Sequence, residues 1–486
     1  MNIGLSPVDF AALSPLILLF GGMLSLLLLE SLGGGLVTKK YSFFLALAAL
    51  FIALYAAFVA PGSDNPLLTP WIRFDSVGRF FTIFFLMVGL GSLLLSHPFF
   101  GQFDATQGEY NFLLLSSVFG LILIGSAADF LTLFLGLETL SIALYVLCGY
   151  MKEWEISNEA SFKYFLMGAL AAAFTLYGIA LIYGAVGTTR LDLLLESYNA
   201  IKETPQSALF LGGVAFVTLG LAFKAALVPF HVWAPDVYAG APTPVTAFMA
   251  VGTKAGAFAA FTRVFLLALP HFNTTWNQGI AWLAYPTLVY ANYLALCQSH
   301  LRRFFAYSGI SHAGFLLIPI AAGTENALPS LMFYLVVYAV ATFGAFAVLA
   351  FLDKRSEGVT LGDLHGLFYR SPLLAGCLTL SLLTLAGIPP TAGFFAKFYI
   401  FIAAFEAGYQ GLVIVGLLTT VLSAWYYLRI ISVMLSPLTE EVAAPTASWW
   451  ASAVGIAACA AIVALSLYPT PLLNLFSAAT ASAGVP

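Results

Sequence analysis

Charge is what this 486-residue sequence has least of: Asp, Glu, Lys and Arg make up 8% of it, against 61% hydrophobic residues. Soluble domains carry about 25% charged residues, so a water-soluble fold is excluded and an integral membrane protein is expected. Cysteine is scarce as well. Cys148, Cys297, Cys377 and Cys459 lie far apart with no CxxC pair, which excludes a local iron–sulfur or zinc motif and argues against a disulfide framework. The six histidines are scattered, with His97, His300 and His365 at the edges of apolar runs, and no mid-helix pair suggests haem. No GxGxxG or Walker-type loop is present, so nucleotide binding finds no support. The chain is expected to carry no cofactor or metal of its own and to bind no nucleic acid. It also lacks the basic n-region and small-residue cleavage site of a secretory signal. Its first apolar run, 10–29, is expected to remain as an uncleaved helix.

What the chain does have is apolar runs of spanning length, which need about 20 residues each. Short polar or Gly/Pro-marked breaks divide them into roughly fourteen spans, centred near Leu19, Leu50, Leu86, Val118, Leu140, Ala173, Leu219, Gly256, Val289, Gly314, Ala341, Leu383, Leu417 and Ala460. The fold class expected is an all-α polytopic membrane protein. The longest polar stretches, 187–207 and 353–371, are too short for a soluble domain. Trp71, Trp154, Trp276, Trp449 and Trp450 mark run edges, where interfacial aromatics belong. Alternate loops carry Lys39, Lys40, Lys152, Arg302, Arg303, Lys354, Arg355 and Arg370, against Arg73, Arg79, Arg190 and Lys202 in the opposite set. The first set is expected to face the cytoplasm. With an even number of spans, both termini then face the periplasm.

Two spans are interrupted alike, in FKAALVPFHVWAPDVYAGAPTP and TLAGIPPTAGFFAKF. Pro229 leaves the carbonyl of Ala225 without its helical partner, and Pro390, beside Pro389, does the same to Ala386. Such backbone is tolerated at membrane depth where it is buried in protein or lines a cavity. The breaks fall fourth in two consecutive sets of five spans, 110–269 and 279–435. Five is odd, so the second set crosses in the opposite sense, as in inverted repeats whose paired broken helices mark a transport site. Residues 1–109 add three helices before the repeats, and 436–486 add one after them.

Lys224, Lys254 and Lys397 each sit inside an apolar run with no nearby charge in sequence. A lysine at bilayer depth costs about 2.5–3.5 kcal/mol on insertion scales, and lysine is the cation whose charge is most readily given up on burial. Glu138, at the middle of its span, is an expected partner. Together they point to proton movement across a membrane. His312, inside its span, suits a relay between lysines. Lys163 opens its span, where snorkelling is the alternative to function. His231 follows the first break and is expected to cap or stabilise it.

These residues carry a resemblance. LFLGLETLSIALYVL, FKAALVPFHVWAPDVYAGAPTPVTAF, LRRFFAYSGISHAGF and LAGIPPTAGFFAKFYIF are similar to the antiporter-like subunits of respiratory complex I, in the family's order and over about 110–435. Within that family the chain resembles the subunit N branch: the second break carries a lysine where subunit M and the related antiporter subunit usually have glutamate, and the 486 residues are too few for subunit L, which adds a long lateral helix after its core. The resemblance implies fourteen transmembrane helices and two inverted half-channels. It implies that Glu138 and Lys224 form the first half's pair, that Lys254 is the central connecting lysine, and that Lys397 is the terminal proton-exchange residue. Lys163 and His312 match secondary positions. Flavin, iron–sulfur clusters and quinone are expected in or near other subunits, and the partners expected are other membrane-arm subunits, with the peripheral redox arm reached indirectly. The competing readings are a subunit of a cation–proton antiporter or membrane-bound hydrogenase, and a membrane scaffold whose charges are interhelical ion pairs.

Overall fold

The computed structural model describes residues 4–32, 34–103, 107–270, 274–353, 358–437 and 448–482. Lys354 and Arg355 lie outside the described residues, as do the side chains of Lys39 and Lys40. The described chain is helical throughout, with only isolated β-bridges joining loops. The helices are α1 (Pro7–Leu32), α2 (Gly34–Val59), α3 (Ser76–Gln102), α4 (Gly108–Ser126), α5 (Phe130–Cys148), α6 (Glu155–Val186), α7 (Gln206–Lys224), α8 (Trp233–Gly240), α9 (Thr243–Ala268), α10 (Thr274–Leu296), α11 (Leu301–Ala322), α12 (Ala327–Leu352), α13 (Pro372–Ala386), α14 (Ala392–Glu406), α15 (Gln410–Leu435), α16 (Trp449–Leu467) and α17 (Thr470–Ser482). Leu191–Leu193, Leu194–Ile201, Gly362–Leu364 and Leu367–Arg370 form short turns of helix in the loops. Twelve of the described helices are long and apolar enough to cross a membrane. The interrupted α13–α14 pair and α10 complete about fourteen crossings, and every span centre anticipated from sequence falls in a helix.

Helix ends follow local chemistry. Asp75 caps α3 by accepting from the Gly78 amide at 2.6 Å, and Asp129 caps α5 by accepting from that of Leu131 at 2.7 Å. Each satisfies a donor that the first helical turn leaves without a partner. Gly387 ends α13 at φ 79°, a left-handed conformation open to glycine without penalty. Burial opposes the charge on Asp75, yet Arg263, paired with it at 2.5 Å, holds its carboxyl below the usual range.

Both sequence breaks are breaks in the helix. After α7 the chain runs irregularly over 225–232 before α8, and after α13 over 387–391 before α14. Pro229, Pro389 and Pro390 are exposed on the flank of the bundle. α9 is continuous but contains two π-helical stretches, Met249–Thr253 and Thr262–Ala268, which the sequence did not announce. Lys254 follows the first directly. Such wide turns re-aim side chains and cluster at functional sites.

A buried polar cluster built on one ion pair of the second half ties the two halves together. Arg302, at the start of α11, donates to the carbonyl of Ala241 at 2.6 Å and lies 3.9 Å from Asp353, both side chains at most 1% exposed. The Thr243 hydroxyl donates to the same carboxylate. The link therefore joins the end of the first interrupted span to the loop after α12. Removing one partner leaves the other charge buried and alone, so Arg302→Ala should destabilise the fold by about 3–5 kcal/mol. Thermal unfolding of the purified protein checks this, with the charge-free pair Arg302→Met/Asp353→Leu expected to lose much less.

Candidate functional site

The three apolar-run lysines are all buried, at 5% (Lys224), 1% (Lys254) and 4% (Lys397) exposure. None forms an ion pair among the described residues. Each is held instead by neutral oxygens and aromatic rings.

Lys224 ends α7, and its ammonium donates to Ser141 Oγ on α5 at 2.5 Å. The rings of Tyr145 and Tyr164 lie 5.6 and 5.7 Å from its Nζ. Glu138 lies one helical turn before Ser141, close enough for its charge to act on Lys224 but without a direct pair. Glu138 is half-buried rather than enclosed. It shares an outward stripe of α5 with Leu131, Leu135, Ile142 and Val146, all exposed. The break beyond Lys224 is stabilised by a donation from the Val228 amide to Thr287 Oγ1 at 3.1 Å and from the Trp233 indole to the Phe223 carbonyl at 3.0 Å. His231 is buried in this segment, edge-on to Tyr290, and its carbonyl accepts from the Ala234 amide at 3.0 Å.

Lys254 donates to Tyr238 Oη at 3.0 Å. It fits because Gly309 on α11 has no side chain: a Cβ there would stand 2.8 Å from Lys254 Nζ and 3.1 Å from Tyr338 Oη. The Tyr338 ring packs against His312, tilted by 41° with ring centroids 4.9 Å apart. His312 sits between two tyrosines, 2.7 Å from Tyr334 Oη through Nδ1 and 3.3 Å from Tyr427 Oη through Nε2.

Lys397 closes the row. Its ammonium donates at 2.9 Å to the carbonyl of Ala386, the group that Pro390 leaves without a helical partner, and lies 4.6 Å above the Phe315 ring. A cavity of about 10 Å³, lined by His312, Tyr334, Tyr338, Thr384 and Lys397, separates it from the histidine. That is room for about one water. A larger apolar cleft of about 260 Å³ between α7 and α10 reaches Phe230 at the first break.

Lys163 lies apart from this row. It is 39% exposed, pairing with Glu159 at 2.7 Å and with Asp236 at 2.9 Å, while Asp236 also binds Arg303 at 2.9 Å. Asp236 belongs to α8, so this surface cluster ties the second half of the first broken span to α6 and α11.

The residues 127–423 match the family model described as NADH:quinone oxidoreductase/Mrp antiporter, transmembrane. The chain is 59% identical to an NADH-quinone oxidoreductase subunit N of Protochlamydia amoebophila over 98% of this chain and 99% of that one. It belongs to this family, in the subunit N branch. A chain of respiratory complex I from Thermus thermophilus superposes with a TM-score of 0.81 at 34% identity, covering 95% of this chain and 99% of that one. A chain of a membrane-bound sulfane sulfur reductase, an archaeal respiratory membrane complex, gives 0.86 at 25% identity over 97% of each. The family's match runs from just before Glu138 to beyond Lys397, so it takes in the whole buried row. Among the described residues no group of three His, Cys, Asp or Glu side chains could hold a metal ion.

Ser141, Tyr238, Gly309, Tyr334, Tyr338 and Tyr427 were not singled out from sequence. A signal existed for the tyrosines. YLVVY and AWYYLR place hydroxyls inside apolar runs, and a buried tyrosine needs a hydrogen-bond partner.

Proposed function

We propose that the chain is a proton-translocating subunit of a complex I-type NAD(P)H- or ferredoxin–quinone oxidoreductase. Protons move along Glu138, Lys224, Lys254, His312 and Lys397, driven by quinone reduction in other subunits that hold the flavin and iron–sulfur clusters. The observation that carries this reading is a row of three buried ammonium groups with neutral partners, the first held by Ser141 and the other two flanking a histidine set between tyrosines. An unpaired charge in an apolar interior is costly, whereas a neutral amine is not. Each lysine is therefore poised to give its proton up, and a scaffold would gain nothing from that arrangement. The outward-facing Glu138 places one end of the row where a neighbouring membrane-arm subunit would cover it. The half-channels are assigned to 110–269 and 279–435, flanked by 1–109 and 436–486, since each holds five crossings and one break. Lys163 is assigned to the mouth of the first half-channel rather than to the row.

Two experiments test this. In vesicles holding the reconstituted complex, Lys224→Ala and Glu138→Gln should lower proton uptake while quinone reduction and subunit content persist. Wild-type uptake in both fully assembled variants would contradict the reading. For topology, the chain is assigned to the bacterial plasma membrane with both termini periplasmic. In a cysteine-free background, an impermeant thiol reagent added to intact cells should label Lys202→Cys and spare Lys152→Cys. The reverse pattern would invert the assignment.

A further inference from the structure

The second half of the chain buries more polar groups than the lysine row uses. Asn292 on α10, Ser308 and Ser311 on α11, and Tyr426 and Tyr427 on α15 are each at most 2% exposed. They form two hydrogen-bonded groups that meet where Tyr426 packs on Tyr427. Tyr426 Oη donates to Asn292 Oδ1 at 2.8 Å, and Asn292 Nδ2 donates to Ser311 Oγ at 2.7 Å. The Tyr427 and Ser308 hydroxyls share a hydrogen bond, and Tyr427 Oη is 3.3 Å from His312 Nε2. The two tyrosine rings lie 4.6 Å apart.

This network points away from Lys397, toward the face that carries Arg303. Asn292 is four residues, about one 5.4 Å turn, from Leu296, whose carbonyl accepts from the exposed Arg429 at 3.2 Å. Over the network on that side sits one ring, Phe304, edge-on to Tyr426 at 5.3 Å and to Tyr427 at 5.7 Å. Phe304 is one turn before Ser308 on the same face of α11, and is 3% exposed.

A polar cluster that only holds three helices together would close on itself. Here the Ser308–Tyr427 branch ends on an imidazole, and its links are hydroxyls, which donate and accept at once. We propose that the Tyr426–Tyr427–Ser308 network is a proton inlet to His312 from the Arg303 face, separate from the path through Lys224. Phe304 is its plug and Asn292 the group that orients Tyr426. The inference rests on the reading of the lysine row as a proton path. With Nδ1–H donated to Tyr334, Nε2 is the acceptor. Tyr427 passes its proton to Nε2 and takes one from Ser308, whose own is replaced by a proton from bulk solvent, relayed through water admitted past Phe304. No hydroxyl gains or loses charge overall. The imidazolium so formed passes a proton to the neutral Lys397 amine across the small cavity between them.

The test uses the intact complex in vesicles. Tyr427→Phe keeps the ring against Phe304 and removes only the hydroxyl. It should lower the number of protons taken up per quinol formed, with subunit content unchanged. The second measurement is accessibility. Ser308→Cys should resist a small water-soluble thiol reagent applied from the Arg303 face, and should react once Phe304→Ala is added. A Tyr427→Phe complex with the wild-type proton ratio, beside a Lys254→Ala complex that has lost it, would overturn the inlet and leave the row standing. Wild-type ratios in both would overturn the row itself. A Ser308→Cys thiol that stays unreactive in the Phe304→Ala background would also overturn the inlet, whether or not Tyr427→Phe assembles.

Discussion

A complex carrying Lys254→Met or Lys254→Arg should assemble, bind its partner subunits and move far fewer protons than the wild type. Lys254 is the least exposed of the three lysines, and Tyr238 Oη is its one hydrogen-bond partner among the described residues. Methionine keeps nearly the volume and removes the amine. Arginine keeps the charge and cannot release it, because guanidinium stays protonated at any physiological pH. Loss of a positioned proton-transfer group slows such a step by roughly 10²-fold or more. A purely structural charge would behave differently: arginine would substitute tolerably, and methionine would act through assembly. Arginine is also larger, and Gly309 leaves it little room. The methionine variant therefore carries the comparison if the arginine variant fails to assemble. Proton uptake and quinone reduction in the same vesicles, with subunit content measured alongside, give the result.

The largest structural effect is expected at Gly393. A Cβ there would stand 1.7 Å from the carbonyl oxygen of Thr384. No rotamer relieves that overlap, since both groups are fixed to backbone. Gly393→Ala should push the start of α14 off the end of α13 and pull Lys397 from the Ala386 carbonyl. The cost is about 3 kcal/mol or more, at the upper end of overpacking effects, and assembled complex should be lost from the membrane. Gly376, on the same α13, has nothing within 4 Å of its Cβ position. Gly376→Ala should therefore stay within about 0.5 kcal/mol of the wild type. Quantifying the assembled complex in membranes from both strains checks the contrast.

The parts of this fold that were legible in the sequence are those set by local chemistry. Apolar runs long enough to cross a membrane became helices, because no other open structure satisfies its backbone in lipid. Pro229 and Pro390 marked the breaks because proline cannot supply the missing amide. The sequence named the Ala386 carbonyl as the freed group, but not that Lys397 would take it up, which needs eleven residues of intervening geometry. Long-range partnerships were the illegible part. Glu138 read as a deep acid, yet the rotation of α5 sets it on a half-exposed stripe. Lys163 matched a family position on the polar row, yet Glu159 and Asp236 hold it in a surface cluster. Tyr238 and Gly309 shape the Lys254 site from α8 and α11, and neither carries a mark of that role in its own segment.

The most direct test of the proton row is the number of protons taken up per quinol formed by vesicles holding a Lys397→Arg complex. Lys397 closes the row against the second break, where arginine could still reach the Ala386 carbonyl and keep the charge in place. A row that carries protons predicts assembled complex with a clearly lowered ratio. A fully assembled Lys397→Arg complex that pumps at the wild-type ratio would contradict it.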